Sequence, residues 1–138
     1  MNTYNINDKE LINSLEYKNF IKENEGEGYL RIRAYGASEA VPIEGMKIVV
    51  STLLENNTKV IFYEGETDSS GMIERLRLPA PKRGDDNLVM PKWTIYDISA
   101  TYDGKEETFK VNLYDDICVQ QIINITPDTL VRGFNYGN

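Results

Sequence analysis

The sequence has no histidine and a single cysteine, Cys118. The first absence removes the side chain that most often serves as a general base or a metal ligand near neutral pH. One cysteine cannot form a disulfide within the chain, and its place in an apolar stretch predicts a buried, unreactive thiol. Ser69 and Ser70 have no histidine or lysine base nearby in the sequence, which argues against a nucleophilic serine. These absences predict that the protein is not an enzyme.

The sequence also lacks a recognisable set of acidic metal ligands. Asp85-Asp86 and Asp115-Asp116 are adjacent carboxylates in predicted loops. A calcium site needs several oxygen ligands that converge on one point, and one such pair does not supply them. We therefore expect solvated turn acids at these positions, and neither a metal nor a cofactor.

Targeting and membrane-spanning segments are missing as well. No apolar run approaches the roughly 20 residues that a membrane-spanning helix needs. The N-terminal residues have neither the basic region nor the apolar region of a secretory signal. The net charge of −7 and the pI near 4.6 argue against nucleic acid as a partner. The sequence thus predicts cytoplasmic synthesis without a signal peptide, no membrane insertion and no nucleic-acid binding.

What the sequence does contain is a series of short segments with period-two hydrophobicity. Leu30, Ile32 and Ala34 alternate with polar or aromatic residues, as a half-buried strand requires. Turn signals such as Asp103-Gly104 separate these segments. With one domain expected for 138 residues, the pattern predicts an all-β fold, a seven-stranded Greek-key β-sandwich with a short N-terminal helical arm. The predicted strands are Tyr29–Tyr35, Met46–Leu54, Lys59–Glu64, Met72–Leu78, Trp93–Tyr102, Lys105–Leu113 and Ile117–Thr126.

The stretch Thr67–Pro81 contains a predicted structural turn, a strand and its end. Asp68 can accept hydrogen bonds from backbone groups two residues on, and Gly71 supplies the positive φ that closes such a turn. The alternation fails near Ile73-Glu74, which predicts a β-bulge or a late start of the strand. Pro79 cannot donate to a ladder, so the strand must end there or lie at a sheet edge.

The N-terminal residues predict an arm with its own role. Residues 1–7 are polar and expected to be loose, and Asp8–Asn24 predicts a helix. Its apolar side chains do not form one stripe, so either the helix breaks near Asn13–Asn19 or it has apolar surface on two sides. The second alternative would leave one side free for a partner, which makes this segment a hypothetical docking element. The docking residues are Leu11, Ile12 and Leu15 in one group, and Tyr17, Phe20 and Ile21 in the other.

Three units are expected along the chain. Residues 1–25 form the partly helical arm, residues 26–128 the β-sandwich domain and residues 129–138 a C-terminal tail. Glu25–Gly28 is interpreted as a hinge between the first two. The sandwich is predicted to fold without the arms, because its strands already supply both apolar faces that a sandwich needs.

Four arginines fall on strands with a spacing that could place them on one exposed sheet face. They are Arg31 and Arg33 on one predicted strand and Arg75 and Arg77 on another. Cross-strand pairing with the abundant glutamates is the favoured interpretation. A patch for an anionic partner is the alternative, and nine tyrosines and one tryptophan would suit a binding surface.

Several of these segments resemble a known family. Gly28–Tyr35, Val41–Val50, Thr67–Gly71 and Leu78–Pro81 are similar to the carboxypeptidase-regulatory-like, transthyretin-like (prealbumin-like) β-sandwich. Within it, the chain resembles the variant of spore-forming clostridia found in the N-terminal prodomain of the spore cortex-lytic enzyme SleC. Ile95–Ile98 and Val119–Pro127 are similar to the end of that variant, and the resemblance spans about residues 16–128.

The resemblance implies an accessory module, and the function expected is therefore binding or scaffolding. One setting is a spore or cell-envelope protein that holds a peptidoglycan-active partner. The alternative is a structural subunit of a bacteriophage virion or phage-tail-like particle, such as a tail, baseplate or decoration protein. Both imply protein partners, including self-association or assembly into a larger particle.

Overall fold

The computed structural model of the protein describes residues 2–36, 41–84 and 91–125. Within them the chain forms mostly β-structure, which confirms the predicted fold class. All seven predicted strands are present, but the count of seven is wrong because two short strands add to it, and the Greek-key connectivity is not confirmed. The elements are β1 Thr3–Asn5, α1 Lys9–Ile12, α2 Leu15–Glu23, β2 Gly26–Gly36, β3 Val41–Pro42, β4 Lys47–Leu53, β5 Lys59–Glu66, β6 Met72–Ala80, β7 Thr94–Tyr102, β8 Lys105–Leu113 and β9 Cys118–Ile125.

The strands form two sheets, which we call sheet A and sheet B. Sheet A has the order β1-β5-β4-β7-β8, with β1 parallel to β5 and the other pairs antiparallel. In sheet B, β2 pairs in parallel with β9 along residues 29–36. The antiparallel partners β6 and β3 therefore share the other side of β2, β6 along residues 26–33 and β3 at residues 35–36.

The core lies between the two sheets and follows the predicted alternation. Leu30, Ile32 and Ala34 of β2 are fully buried, while the residues between them are half-buried on the outer side. Burial of each such aliphatic side chain stabilises the fold by about 1.5–3 kcal/mol. The side chains from β4, β7 and β9 that meet them are Ile48, Val50, Tyr96, Ile98, Ala100, Ile123 and Ile125.

The N-terminal arm packs on the edge of sheet A and its helix is broken. The Ser14 hydroxyl donates to the carbonyl of Leu11 at 2.7 Å, and its oxygen accepts from the N–H of Tyr17 at 3.2 Å. One side chain thus ends α1 and caps α2, which confirms the first of the two predicted alternatives. The expectation that residues 1–7 are loose is wrong, since Thr3–Asn5 pair with Lys59–Ile61.

The predicted turn has the geometry that its sequence suggested. One oxygen of Asp68 accepts from the N–H groups of Ser70 at 2.9 Å and Met72 at 3.0 Å. Gly71 has a φ of +74°, and a Cβ added there would lie 2.5 Å from the carbonyl oxygen of Ala34. The turn therefore fixes where β6 starts against β2. Beyond it, β6 runs past Pro79 to Ala80, and β2 is its only partner among the described strands, so the edge alternative holds.

Three interpretations of the sequence are corrected by the fold. Cys118 is exposed at the start of β9 and is not a buried thiol. Glu25–Gly28 is not a hinge: β2 starts at Gly26, and a Cβ added at Gly28 would lie 2.7 Å from the carbonyl oxygen of Tyr114. Asp115 is not a merely solvated acid, because its carboxylate accepts from the N–H groups of Arg83 at 2.9 Å and Glu27 at 3.0 Å. Asp85-Asp86 and the tail 129–138 lie outside the described residues.

Replacing Asp115 with asparagine is expected to reduce the loss of stability that occurs as the pH falls. The hydrogen bond from the Arg83 N–H, more than the one from Glu27, holds the pKa of this carboxyl below its usual range. The charged Asp115 carboxylate therefore stabilises the fold fully above its pKa in the unfolded state, about 4. This stabilisation is lost as the pH falls through its lower pKa in the folded state. At pH 7, Asp115→Asn is expected to lower the free energy of unfolding by about 1 kcal/mol.

Urea denaturation at pH 7 and at pH 3 measures this difference. Asp116→Asn is the matched control, because Asp116 is exposed and asparagine tolerates its φ of 60°. The role assigned to the charge would be contradicted if the difference in free energy of unfolding between wild type and Asp115→Asn were the same at both pH values.

Candidate binding face

The outer surface of sheet B brings the four arginines together. Outward positions of β2 carry two tyrosines and two arginines, and the register sets Arg77 of β6 opposite Tyr29. Apart from these four, the only arginines in the chain are Arg83 and Arg132. We call this surface the Arg–Tyr face, defined by Tyr29, Arg31, Arg33, Tyr35, Arg75 and Arg77.

A β-bulge orients one of these arginines. The pairing of β2 with β6 shifts register between Leu30 and Ile32, and on the opposite strand Arg75 has a φ of 34°. A non-glycine residue in this region carries strain of about 1–3 kcal/mol, which the surrounding structure must offset. The predicted bulge near Ile73-Glu74 is thus present, and it brings the Arg75 guanidinium over the ring of Tyr29, 4.3 Å from its centroid.

A second arginine–tyrosine pair lies on β2 itself, where the Arg33 guanidinium is 5.2 Å from the centroid of the Tyr35 ring. Cation–π contacts of this kind contribute about 0.5–1 kcal/mol at exposed sites. Their larger effect is geometric, because a guanidinium lying over a ring keeps its N–H edge available for another acceptor. Both pairs therefore hold arginine donors in place on the surface.

Among the described residues, no acidic side chain forms an ion pair with these four arginines. The nearest acids along the strands are Glu27 at the start of β2 and Glu74 beside the bulge, and neither makes such a contact. The Nε atoms of Arg31 and Arg33 are buried and have no hydrogen-bond partner within the described ranges. The structure thus does not show the cross-strand Arg–Glu pairing that the sequence favoured. It leaves the alternative, a patch for an anionic partner.

Strand β9 extends the face on its other side. Its register places Gln120 beside Arg31, Ile122 beside Arg33 and Asn124 beside Tyr35. These three side chains are exposed, and they add an apolar contact and two amides to the charged surface. The face therefore has the composition of a protein interface, in which arginine and tyrosine are enriched.

The six residues predicted to dock a partner do not form the two expected groups in the structure, where some are buried and others are exposed. Leu11 is buried with Leu54 and Val60, and Tyr17 and Phe20 pack against the same cluster. Three others are exposed and could meet a partner: Ile12, Leu15 and Ile21, with exposed fractions of 46%, 69% and 37%. The break at Ser14 explains the regrouping, because the wheel of a continuous helix does not apply across it. Docking by this segment stays a prediction.

Other chemistry within the described ranges is limited. They contain no group of three or more acidic or cysteine side chains placed to hold a metal ion. Burial raises the pKa of both Tyr17 and Tyr96, and the Tyr96 hydroxyl donates to the carbonyl of Pro79 inside the core. None of the described helices is long and apolar enough to cross a membrane.

The fold and the site together define a two-sheet β-sandwich with a basic, tyrosine-rich outer face. No protein-family model and no curated protein matches the sequence. Solved structures that are similar include transthyretin from Sparus aurata, at 13% identity and a TM-score of 0.46, covering 71% of this chain and 90% of that one. Another is 5-hydroxyisourate hydrolase from Klebsiella pneumoniae, at 13% identity and a TM-score of 0.43, covering 72% and 87%.

These likenesses bear on two predictions. The broad resemblance to the transthyretin-like sandwich is supported, but the narrower one to the SleC prodomain is not. The prediction that the chain is not an enzyme is contradicted only to the extent that one of these similar structures, 5-hydroxyisourate hydrolase, is an enzyme. At this identity the neighbours assign no reaction, ligand or partner to the present chain.

Proposed function

We propose that this protein is a binding module that holds an acidic surface of a partner protein on its Arg–Tyr face. The observation that carries this proposal is the set of four arginines without an acidic partner among the described residues. Like charges on neighbouring strands repel each other. An anionic partner would relieve this repulsion and supply acceptors for the guanidinium groups.

A carboxylate-bearing protein fits the face better than a nucleic acid or a sulfated polymer does. The planar guanidinium fork matches a carboxylate with two parallel hydrogen bonds. The net charge of −7 repels a highly charged polymer at long range, whereas a protein with one acidic patch brings less charge. Tyr29 and Tyr35 add the aromatic contact area that is typical of protein interfaces.

The settings predicted from the sequence are compatible with such a module. An accessory unit of a clostridial spore or cell-envelope protein and a subunit of a phage particle both need a surface that binds another protein. These settings, and the spore, envelope or virion location, stay proposals. The Arg–Tyr face itself favours neither of them over the other.

A peptide of alternating Glu and Ser, carrying a fluorescent label, tests the proposed face by anisotropy at an ionic strength of about 0.15 M. We expect it to bind wild type, and the variant Arg33→Gln with Arg77→Gln to bind at least about tenfold more weakly. Hydrogen bonds to charged groups contribute about 1.5–3 kcal/mol each, and about 1.4 kcal/mol corresponds to tenfold.

Two controls make the result specific. Lys9→Gln with Lys47→Gln changes the net charge equally, away from the face, and should leave peptide binding unchanged. A peptide of alternating Lys and Ser should not bind to the Arg–Tyr face. Equal loss in both double variants, or no binding of the acidic peptide to wild type, would overturn the proposal, and binding of single-stranded DNA to wild type instead would replace it by a nucleic-acid site.

A further inference from the structure

A second surface of the molecule has the opposite charge. Helix α2 and the adjoining ends of β4 and β7 enclose an open groove of about 350 Å³. Its exposed apolar residues are Leu53, Trp93 and Ile95, with exposed fractions of 47%, 46% and 47%. We call it the Trp93 groove.

The rim of the Trp93 groove is acidic. Glu16 and Glu23 lie on α2 and Glu55 follows β4, and the described residues that line the groove include no lysine or arginine. Glu16 and Glu23 are seven residues apart, a spacing that places both on one face of a helix. Within the described part of the chain, none of the three carboxylates forms an ion pair. Lys22 and Lys92 directly precede the groove residues Glu23 and Trp93 in the sequence. Neither lysine lines the Trp93 groove, and Lys92 lines an adjoining groove that shares Glu23 and Trp93 with it.

The groove and the Arg–Tyr face are complementary in charge and in chemistry. Carboxylates at the rim can each accept a guanidinium fork, and an indole ring attracts a cation through its face. The four arginines contribute +4 to a net charge of −7, so the rest of the chain carries a formal −11. Another copy of this chain therefore offers both a basic face and an acidic groove.

We propose that copies of this chain associate head to tail, with the Arg–Tyr face of one copy docked on the Trp93 groove of the next. This inference rests on the proposed function of the Arg–Tyr face and names its partner. Because the two surfaces are different, the contact is heterologous and leaves one free surface at each end of a pair. Association then proceeds beyond dimers, and it weakens as salt screens the charges.

Mixing of two full-length variants tests the polarity of the contact. The face variant is Arg75→Gln with Arg77→Gln, and the groove variant is Glu16→Gln with Glu23→Gln, so that the two mutated surfaces do not attract each other. Each retains one intact surface. We expect each alone to be monomeric by light scattering and analytical ultracentrifugation, and an equal mixture to form a heterodimer that grows no further. Wild type should associate with increasing concentration, and Lys9→Gln with Lys47→Gln, which changes the net charge as the face variant does, should behave like wild type.

The possible outcomes are distinct. A monomeric wild type, or a mixture that stays monomeric, would overturn the head-to-tail contact. If the acidic peptide still binds the Arg–Tyr face in that case, the proposed function stands and only the second copy is excluded as the partner. Association that persists at about 1 M salt and is lost in Ile12→Ala with Leu15→Ala would overturn the proposal in favour of contact through the arm.

Circular dichroism of each variant establishes that it is folded. Arg75 lies in the bulge, so its replacement could disturb β6. The single variant Arg77→Glu avoids this problem, because Arg77 lies in the regular part of that strand. It should weaken wild-type association at least tenfold, and an unchanged dissociation constant in a folded Arg77→Glu protein would overturn the proposal.

Discussion

Replacing Gly71 with valine should lower the free energy of unfolding by at least about 3 kcal/mol. Gly71 has a φ of +74°, which a β-branched residue strongly resists. An added Cβ would also lie 2.5 Å from the carbonyl oxygen of Ala34, and that oxygen accepts from the N–H of Ile43 at 3.0 Å. The substitution therefore strains the turn and disturbs the hydrogen bond between the Ala34 carbonyl and the Ile43 N–H.

Two control substitutions separate these effects in urea denaturation. Ser70→Ala removes only an exposed hydroxyl and should change the free energy of unfolding by less than about 0.5 kcal/mol. Gly45 has a φ of +81° but nothing within 4 Å of an added Cβ, so Gly45→Ala reports the backbone strain alone. Gly71→Ala should exceed Gly45→Ala because of the close approach to Ala34. A midpoint shift for Gly71→Val no larger than that for Ser70→Ala would refute the assigned turn.

Leu11→Ala should destabilise the protein by about 2–4 kcal/mol. Leu11 is 1% exposed and packs with Leu54 and Val60 in a cluster that the arm covers. Truncation leaves a cavity between α1 and the edge of sheet A. Leu15→Ala is the matched control in the same arm, because the Leu15 side chain is 69% exposed and should contribute less than about 0.5 kcal/mol.

This pair also separates the core role of the arm from docking. Phe20 packs 5.9 Å from the ring of Phe62, measured between centroids, so its truncation would combine both effects. Thermal melts of Leu11→Ala and Leu15→Ala measure stability, and light scattering measures association. Equal melting shifts for the two variants would contradict the placement of Leu11 in the core. Thermal melts of a fragment of residues 26–128 test the prediction that it folds without the arm. Removal of the arm exposes Val60, so this fragment should be less stable than the full chain.

Local patterns in the sequence predicted the structural features that are determined by residues close together in the chain, namely strand burial and tight turns. The alternation of Leu30, Ile32 and Ala34 predicted burial because a strand has a period of two. The Asp103-Gly104 hairpin and the turn at Gly71 were predictable because positive φ favours few residue types. Each of these features is determined by a short segment, whatever the rest of the chain does.

Features that depend on partners distant in sequence were not predictable. Nothing in Thr3–Asn5 shows that it pairs with β5, since three polar or aromatic residues form a strand only when an edge is available. The role of Asp115 depends on two N–H groups that come from Glu27 and Arg83, which its own neighbours do not reveal.

The Arg–Tyr face was only half predicted. Spacing placed the arginines on one side of their strands, but their contacts depend on how β2 and β6 are aligned. The register shift at the bulge sets Arg75 over Tyr29, and Glu74 has no arginine partner among the described residues. The acidic Trp93 groove was missed because only the apolar positions of the arm were considered, whereas Glu16 and Glu23 already had the spacing of one helix face.

The position of β2 also has a consequence for how the chain acquires its structure. Strand β2 can pair with β6 once that strand has been synthesised, but among the described strands its other edge is paired only by β9, with Tyr29 opposite Cys118 and Gly36 opposite Ile125. Pairing between segments so far apart in sequence is slow, and a parallel pair needs a long connection. Until β9 leaves the ribosome, β2 exposes unsatisfied N–H and C=O groups that could pair with another nascent chain. Folding of this protein therefore finishes only when its last described strand has been synthesised, and chains that stop before β9 should be prone to aggregation.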